Sequence, residues 1–112
     1  MMNEKAETKV QIGSDNVFAD LDLPNPEERL LKAELARRIS DIIRQKNLTQ
    51  VEAAEILSID QPKVSALTRG KLSGFSTTRL FRFLNALGSD VEIVVKPKPE
   101  HRSSATITVV ED

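Results

Sequence analysis

Cysteine, tryptophan and tyrosine are all missing from the 112 residues, and histidine occurs once, at His101. Without cysteine there is no disulfide, no thiolate metal site and no cysteine nucleophile. A single histidine in the polar, proline-bearing stretch 97–104 assembles neither a transition-metal site nor a Ser-His-Asp triad. No metal and no cofactor is therefore expected, and the chain does not read as an enzyme. Four Phe are the only aromatics, 4% of the residues, too few for a platform on which single-stranded bases stack. Long apolar runs are lacking too, since no stretch approaches the roughly 18 residues of a membrane span. The opening Met1-Met2-Asn3-Glu4-Lys5-Ala6-Glu7 has no apolar signal core, so the expected location is the cytoplasm.

What is present is charge, 29% of the residues, with 16 Lys and Arg against 17 Asp and Glu for a net charge of −1. The near balance conceals a partition. Residues 1–28 carry −5, residues 29–43 carry +2, residues 44–82 carry +4 and residues 83–112 carry −2. A basic centre between acidic ends points to a polyanionic partner for the middle of the chain and a basic partner for its first part.

Four short helices are expected. Asn25-Pro26-Glu27-Glu28 reads as a helix start, with Asn25 as N-cap, Pro26 where no N–H is needed and carboxylates at the positive end of the dipole. That helix runs to about Lys46, burying Leu31, Leu35, Ile39 and Ile42, turning Lys32, Arg38 and Asp41 to solvent, and stopping at Asn47. Thr49-Gln50-Val51-Glu52 is a capping-box sequence for a second helix ending near Leu57. Asp60 caps a third, in which Pro62 falls in the first turn, Val64 and Leu67 face inward and Gly70 makes the end. A fourth begins near Ser76, places Leu80, Phe83, Leu84 and Leu87 on one side and closes at Gly88.

The pattern then changes. Residues 91–96 and 106–110 are rich in β-branched residues and alternate, which predicts strands. Two arrangements are open: an intramolecular hairpin across the polar connection 97–104, or pairing of the 91–96 strand with its copy in a second subunit through Val91, Ile93 and Val95. Before the first helix, the acidic arm is polar except for an apolar knot at Val17, Phe18, Leu21 and Leu23, and its first dozen residues read as mobile. The domain plan is thus an acidic, partly disordered arm (1–24), a helical domain (25–88), and a C-terminal strand or hairpin with a tail (89–112).

Residues 49–70 carry the functional signal. Two helices crossing over a three-residue turn need a small residue at the contact, supplied by Ala54, and apolar residues locking the second onto the first, supplied by Ile59, Val64 and Leu67. That leaves Gln61, Lys63, Ser65 and Ala66 outward, short or flexible enough for a helix to enter a major groove about 12 Å wide. With Thr49-Gln50 at the start of the second helix and Arg69-Gly70-Lys71 after the third, residues 29–88 resemble the Xre/Cro-type phage-repressor helix-turn-helix family. One departure is Ser58, at the turn position where that family usually has glycine. A left-handed backbone there costs Ser about 1 kcal/mol relative to Gly. The flanks, Asn16-Val17-Phe18-Ala19-Asp20-Leu21 before the first helix and Phe75-Ser76 through Ile93 after the third, are similar to the HigA-like antitoxins.

The resemblance implies a mainly α fold, a four- to five-helix phage-repressor-like bundle with a C-terminal β-strand or hairpin. It also implies a homodimer on palindromic double-stranded DNA that represses its own operon and neutralises a small basic ribonuclease toxin of the RelE or HigB kind. A stand-alone Xre-type or phage-type regulator with no toxin is the alternative. In the family, the residue at Gln50 braces that at Gln61, which grips an adenine, in accord with the match of an amide to adenine N6 and N7. Lys63 and Ser65 are candidates for base edges and Ala66 for a thymine methyl. Thr49, Arg69, Lys71 and Arg79 are candidates for phosphates, since long cations at helix ends meet the backbone more often than the groove floor. Arg44, Lys46 and Arg82 read equally as DNA contacts or as solvated surface.

Overall fold

The computed structural model describes residues 8–11 and 25–110. The apolar knot of the arm lies outside them. In chain order the elements are β1 (Thr8–Gln11), α1 (Asn25–Gln45), α2 (Gln50–Leu57), α3 (Gln61–Thr68), α4 (Thr77–Ala86) and β2 (Glu92–Val95).

Local chemistry sets the helix ends. Thr49 Oγ1 accepts the Glu52 N–H at 3.1 Å while Glu52 Oε1 accepts the Thr49 N–H at 2.8 Å, so the capping box at α2 is closed in both directions. Asp60 Oδ1 accepts the Lys63 N–H at 3.0 Å at the head of α3, and Ser76 Oγ accepts the Arg79 N–H at 3.1 Å at the head of α4. All four helices finish alike. A left-handed residue turns the chain so that two successive N–H groups reach back to the last carbonyls: Leu48 to Ile43, Ile59 to Ala54, Lys71 to Ala66 and Ser89 to Leu84 make the longer of each pair. The four left-handed residues are Asn47, Ser58, Gly70 and Gly88, with φ of 56°, 60°, 79° and 95°.

The core lies where α1 crosses α4 and α3, with α2 packed on α3. Ile39, Val64, Leu67 and Leu80 are its most enclosed large side chains, joined by Leu35, Ala53, Leu57, Phe83, Leu84 and Leu87. On α1 the buried stripe is Leu31, Leu35, Ile39 and Ile43, with Ile42 only half-buried at its flank. The expected stripe used Ile42. The difference arises because α3 and α4 cover an arc of α1 wide enough to take both isoleucines, and the even four-residue step favours Ile43. The same wide arc leaves Lys32, Arg38 and Asp41 half-buried rather than solvated. Lys32 pairs with Glu28 at 3.6 Å, and Asp41 bridges Arg37 and Arg44 along the helix.

The C-terminal strands depart further from expectation. β2 pairs antiparallel with β1, Thr8 opposite Val95 and Gln11 opposite Glu92, so residues 8–11 of the arm are in a sheet. The hairpin between 91–96 and 106–110 does not form, and 106–110 is extended without a strand partner among the described residues. Pro97 and Pro99 lack ladder donors, and a turn closed by the Arg102 N–H to the Pro99 carbonyl at 3.2 Å leads the chain aside. Arg102 Nη1 then ties to Thr106 Oγ1 at 2.7 Å, and Val109 rests against the core. β2 therefore has an intramolecular neighbour. Of its expected dimer face, Val91 packs on the chain's own core, Ile93 is half-buried, and Val95 is exposed.

Candidate nucleic-acid interface

The turn between α2 and α3 is three residues, Ser58, Ile59 and Asp60. Ser58 and Ile59 donate back into α2 at 3.3 and 3.1 Å, and Asp60 caps α3, so the backbone polar groups of the turn are occupied. The crossing is held by Ala53, Ala54 and Leu57 from α2 against Val64 and Leu67 from α3, all buried. With one side of α3 locked, its N-terminal end presents Gln61, Pro62 and Lys63 exposed. A helix about 10–12 Å across matches a major groove about 12 Å wide.

Other candidates are placed less simply. Ser65 and Ala66 are half-buried, and Ala66 packs against the core, so the outward set expected from the pattern narrows to Gln61 and Lys63. The Ser65 carbonyl also accepts Thr68 Oγ1 at 3.1 Å and Arg69 Nε at 3.4 Å. Gln50 is exposed at the first position of α2, and no hydrogen bond joins its amide to that of Gln61, so the bracing expected from the resemblance is not made in the free protein. Thr49 is exposed, but its hydroxyl is engaged in capping.

Two of the three acids of this region, Glu52 and Asp60, are engaged as caps, and Glu55 is exposed. Among the described residues Lys63, Arg69 and Lys71 are exposed with no carboxylate partner, and the region 44–82 is net positive. Arg79 is different. Its guanidinium lies 5.2 Å from the Phe75 ring centre and 5.5 Å from that of Phe83, and its Nη1 donates to the Gly74 carbonyl at 3.3 Å. The two rings meet edge to face at 5.9 Å. This cradle fixes a cation at the head of α4 and went unread in the sequence, because Phe75 and Phe83 become neighbours only through the fold. Arg44, which reads equally as DNA contact or surface, is paired with Asp41. No group of three or more metal-ligating side chains occurs among the described residues, and none of their helices is long and apolar enough to cross a membrane.

Fold and interface together define a helix-turn-helix protein of the Xre type, a class of DNA-binding transcriptional regulators. Residues 17–96 match the helix-turn-helix domain family, most of the chain, and the chain belongs to that family. A solved structure titled as an XRE family transcriptional regulator is 49% identical, with a TM-score of 0.77 over 80% of this chain and 100% of that one. Part of the chain is also similar to an antitoxin. A Mycobacterium tuberculosis (strain ATCC 25618 / H37Rv) protein named as antitoxin HigA2 is 30% identical over 61 residues, 54% of this chain and 60% of that relative. The chain thus matches about three-fifths of the length of this curated relative.

Proposed function

We propose that the protein is a sequence-specific repressor that binds a palindromic operator as a homodimer, inserting α3 into the major groove. The observation that carries this reading is the division of α3 between Val64 and Leu67, buried in the core, and Gln61 and Lys63, exposed at the capped end. Gln61 grips a base edge with Gln50 beside it, and Lys63 and Ser65 reach neighbouring edges or phosphates. Ala66 meets a thymine methyl only if α3 enters deeply, since it is half-buried. Thr49, Arg69, Lys71 and Arg79 set the register on the phosphates. Two copies are needed because one helix-turn-helix reads few base pairs, and recognition helices about 34 Å apart fall on successive major grooves.

We further infer an antitoxin role: neutralising a small basic ribonuclease toxin and repressing the operon that encodes both, in the cytoplasm. The supporting observations are the HigA-like similarity and the −5 charge of residues 1–28, suited to a basic partner. Co-expression with the adjacent reading frame tests this directly. A toxic neighbour whose product co-purifies with the untagged chain, and whose toxicity the chain relieves, is the expected result. A chain that binds DNA selected from a random pool but retains no neighbour product is instead a stand-alone Xre-type regulator.

A further inference from the structure

The head of α3 is unlike a helix end that holds an anion. Phosphate docks at such an end through free backbone N–H groups. Here Pro62 has none, the Lys63 N–H donates to Asp60 Oδ1 at 3.0 Å, and the Val64 N–H donates to the Asp60 carbonyl at 3.1 Å. Asp60 also sets a carboxylate at that end, which repels phosphate. What the end offers to DNA is therefore side chains, and Val64 and Leu67, both buried, fix which of them leads. Successive helical residues are about 100° apart around the axis, so Pro62 lies within about 10° of the line opposite the centre of that buried pair. Gln61 and Lys63 flank that line at roughly 90–110°, while Ser65 and Ala66, about 50° from it, are half-buried. Arg69 shares the line about 10 Å further along the axis, past the last turn, where its Nε turns back to the Ser65 carbonyl at 3.4 Å. Pro62 is exposed, so the leading point of α3 is a rigid apolar ring whose side chain neither donates nor accepts a hydrogen bond.

Such a ring selects only an apolar group, and the C5-methyl of thymine is the one apolar group that base edges present in the major groove. We propose that Pro62 is a specificity-determining residue that packs on a thymine methyl in the operator, beside the base gripped by Gln61. This rests on the insertion of α3 proposed above and adds to it a base chosen without a hydrogen bond. Pro62 reaches such a methyl ahead of Ala66, which is half-buried and packs against the core. Adjacent Cα atoms about 3.8 Å apart span roughly one base-pair step of about 3.4 Å, so the thymine lies within about two base pairs of the position that Gln61 reads.

The test removes the methyl and nothing else. On DNA selected by the full-length protein from a random pool, each thymine in the protected region is replaced in turn by deoxyuridine, which keeps the O4 acceptor and the base pairing. Affinities are then titrated for wild type, Pro62→Ala and Gln61→Ala. The expected result is one thymine per half-site whose replacement weakens wild-type binding about fourfold, the worth of burying one methyl group, and leaves Pro62→Ala unaffected. The helical circular dichroism melt of Pro62→Ala is expected to be retained, because alanine suits the first turn of a helix. A wild type indifferent to every replacement overturns the proposal, as does a selected sequence without thymine, or a Pro62→Ala protein that keeps the wild-type sensitivity. In each of those cases a loss of specific affinity in Gln61→Ala leaves the reading of DNA through α3 standing. Failure of that underlying reading shows differently and overturns both: the pool yields no enriched sequence, or Gln61→Ala and Pro62→Ala both bind the selected DNA as wild type does.

Discussion

Ser58 holds φ at 60° in the turn that aims α3. The left-handed region costs a residue with a Cβ about 1–2 kcal/mol, of which the greater unfolded-state freedom of Gly would take back about 0.5–1 kcal/mol. Ser58→Gly is therefore expected to stabilise the protein by up to about 1 kcal/mol, measured as a higher urea midpoint with an unchanged denaturant slope. This residue was legible in the sequence, because helix ends obey local rules. Thr49, Asp60 and Gly88 were legible for the same reason, each visible within four or five positions of its partner. The Phe75, Arg79 and Phe83 cradle was not, since eight residues separate two rings that only the entry into α4 brings to 5.9 Å. Similarly, nothing local distinguishes Ala66, which packs inward, from Ser65 beside it.

At the scale of elements, α3 is eight residues and short of what a helix needs to persist alone, so its cap and its buried face decide whether it exists. Asp60→Ala removes the carboxylate that accepts the Lys63 N–H and is expected to cost about 0.5–2 kcal/mol, read as a lower midpoint in urea. All four helices could be read from apolar spacing and cap residues. β1 could not, because Thr8-Lys9-Val10-Gln11 is a four-residue stretch with one aliphatic residue inside a polar arm, and the approach of β2 makes it a strand. The opposite error concerned 106–110, where a strong β pattern gave no strand within the chain. Pattern states a preference for extension, whereas pairing depends on where an edge is brought. Deleting residues 1–14 removes β1 but none of the helical core, so the cooperative helical melt is expected to stay within a few degrees of the intact chain. A lost transition would place the arm in the core.

For the whole molecule the governing quantity is the placement of charge. A net −1 gives no sign of DNA binding, yet Lys63, Arg69 and Lys71 lie exposed near one another in sequence while Glu52 and Asp60 serve as caps. Phosphate contact by such cations releases counterions. Lys71→Ala is therefore expected to weaken binding to specific and random DNA alike and to lower the magnitude of the log affinity against log salt slope by about 1. The charge partition and the helix-turn-helix were legible because each follows from residue identity alone. The most direct measurement compares wild type with Gln61→Ala on DNA selected by the wild type from a random pool, with quantitative footprinting on that DNA and on an unrelated sequence. The expected result is a loss of about 1–3 kcal/mol confined to the selected DNA, with one base position relaxed and non-specific affinity unchanged. Unaltered affinity for the selected site would contradict recognition through α3.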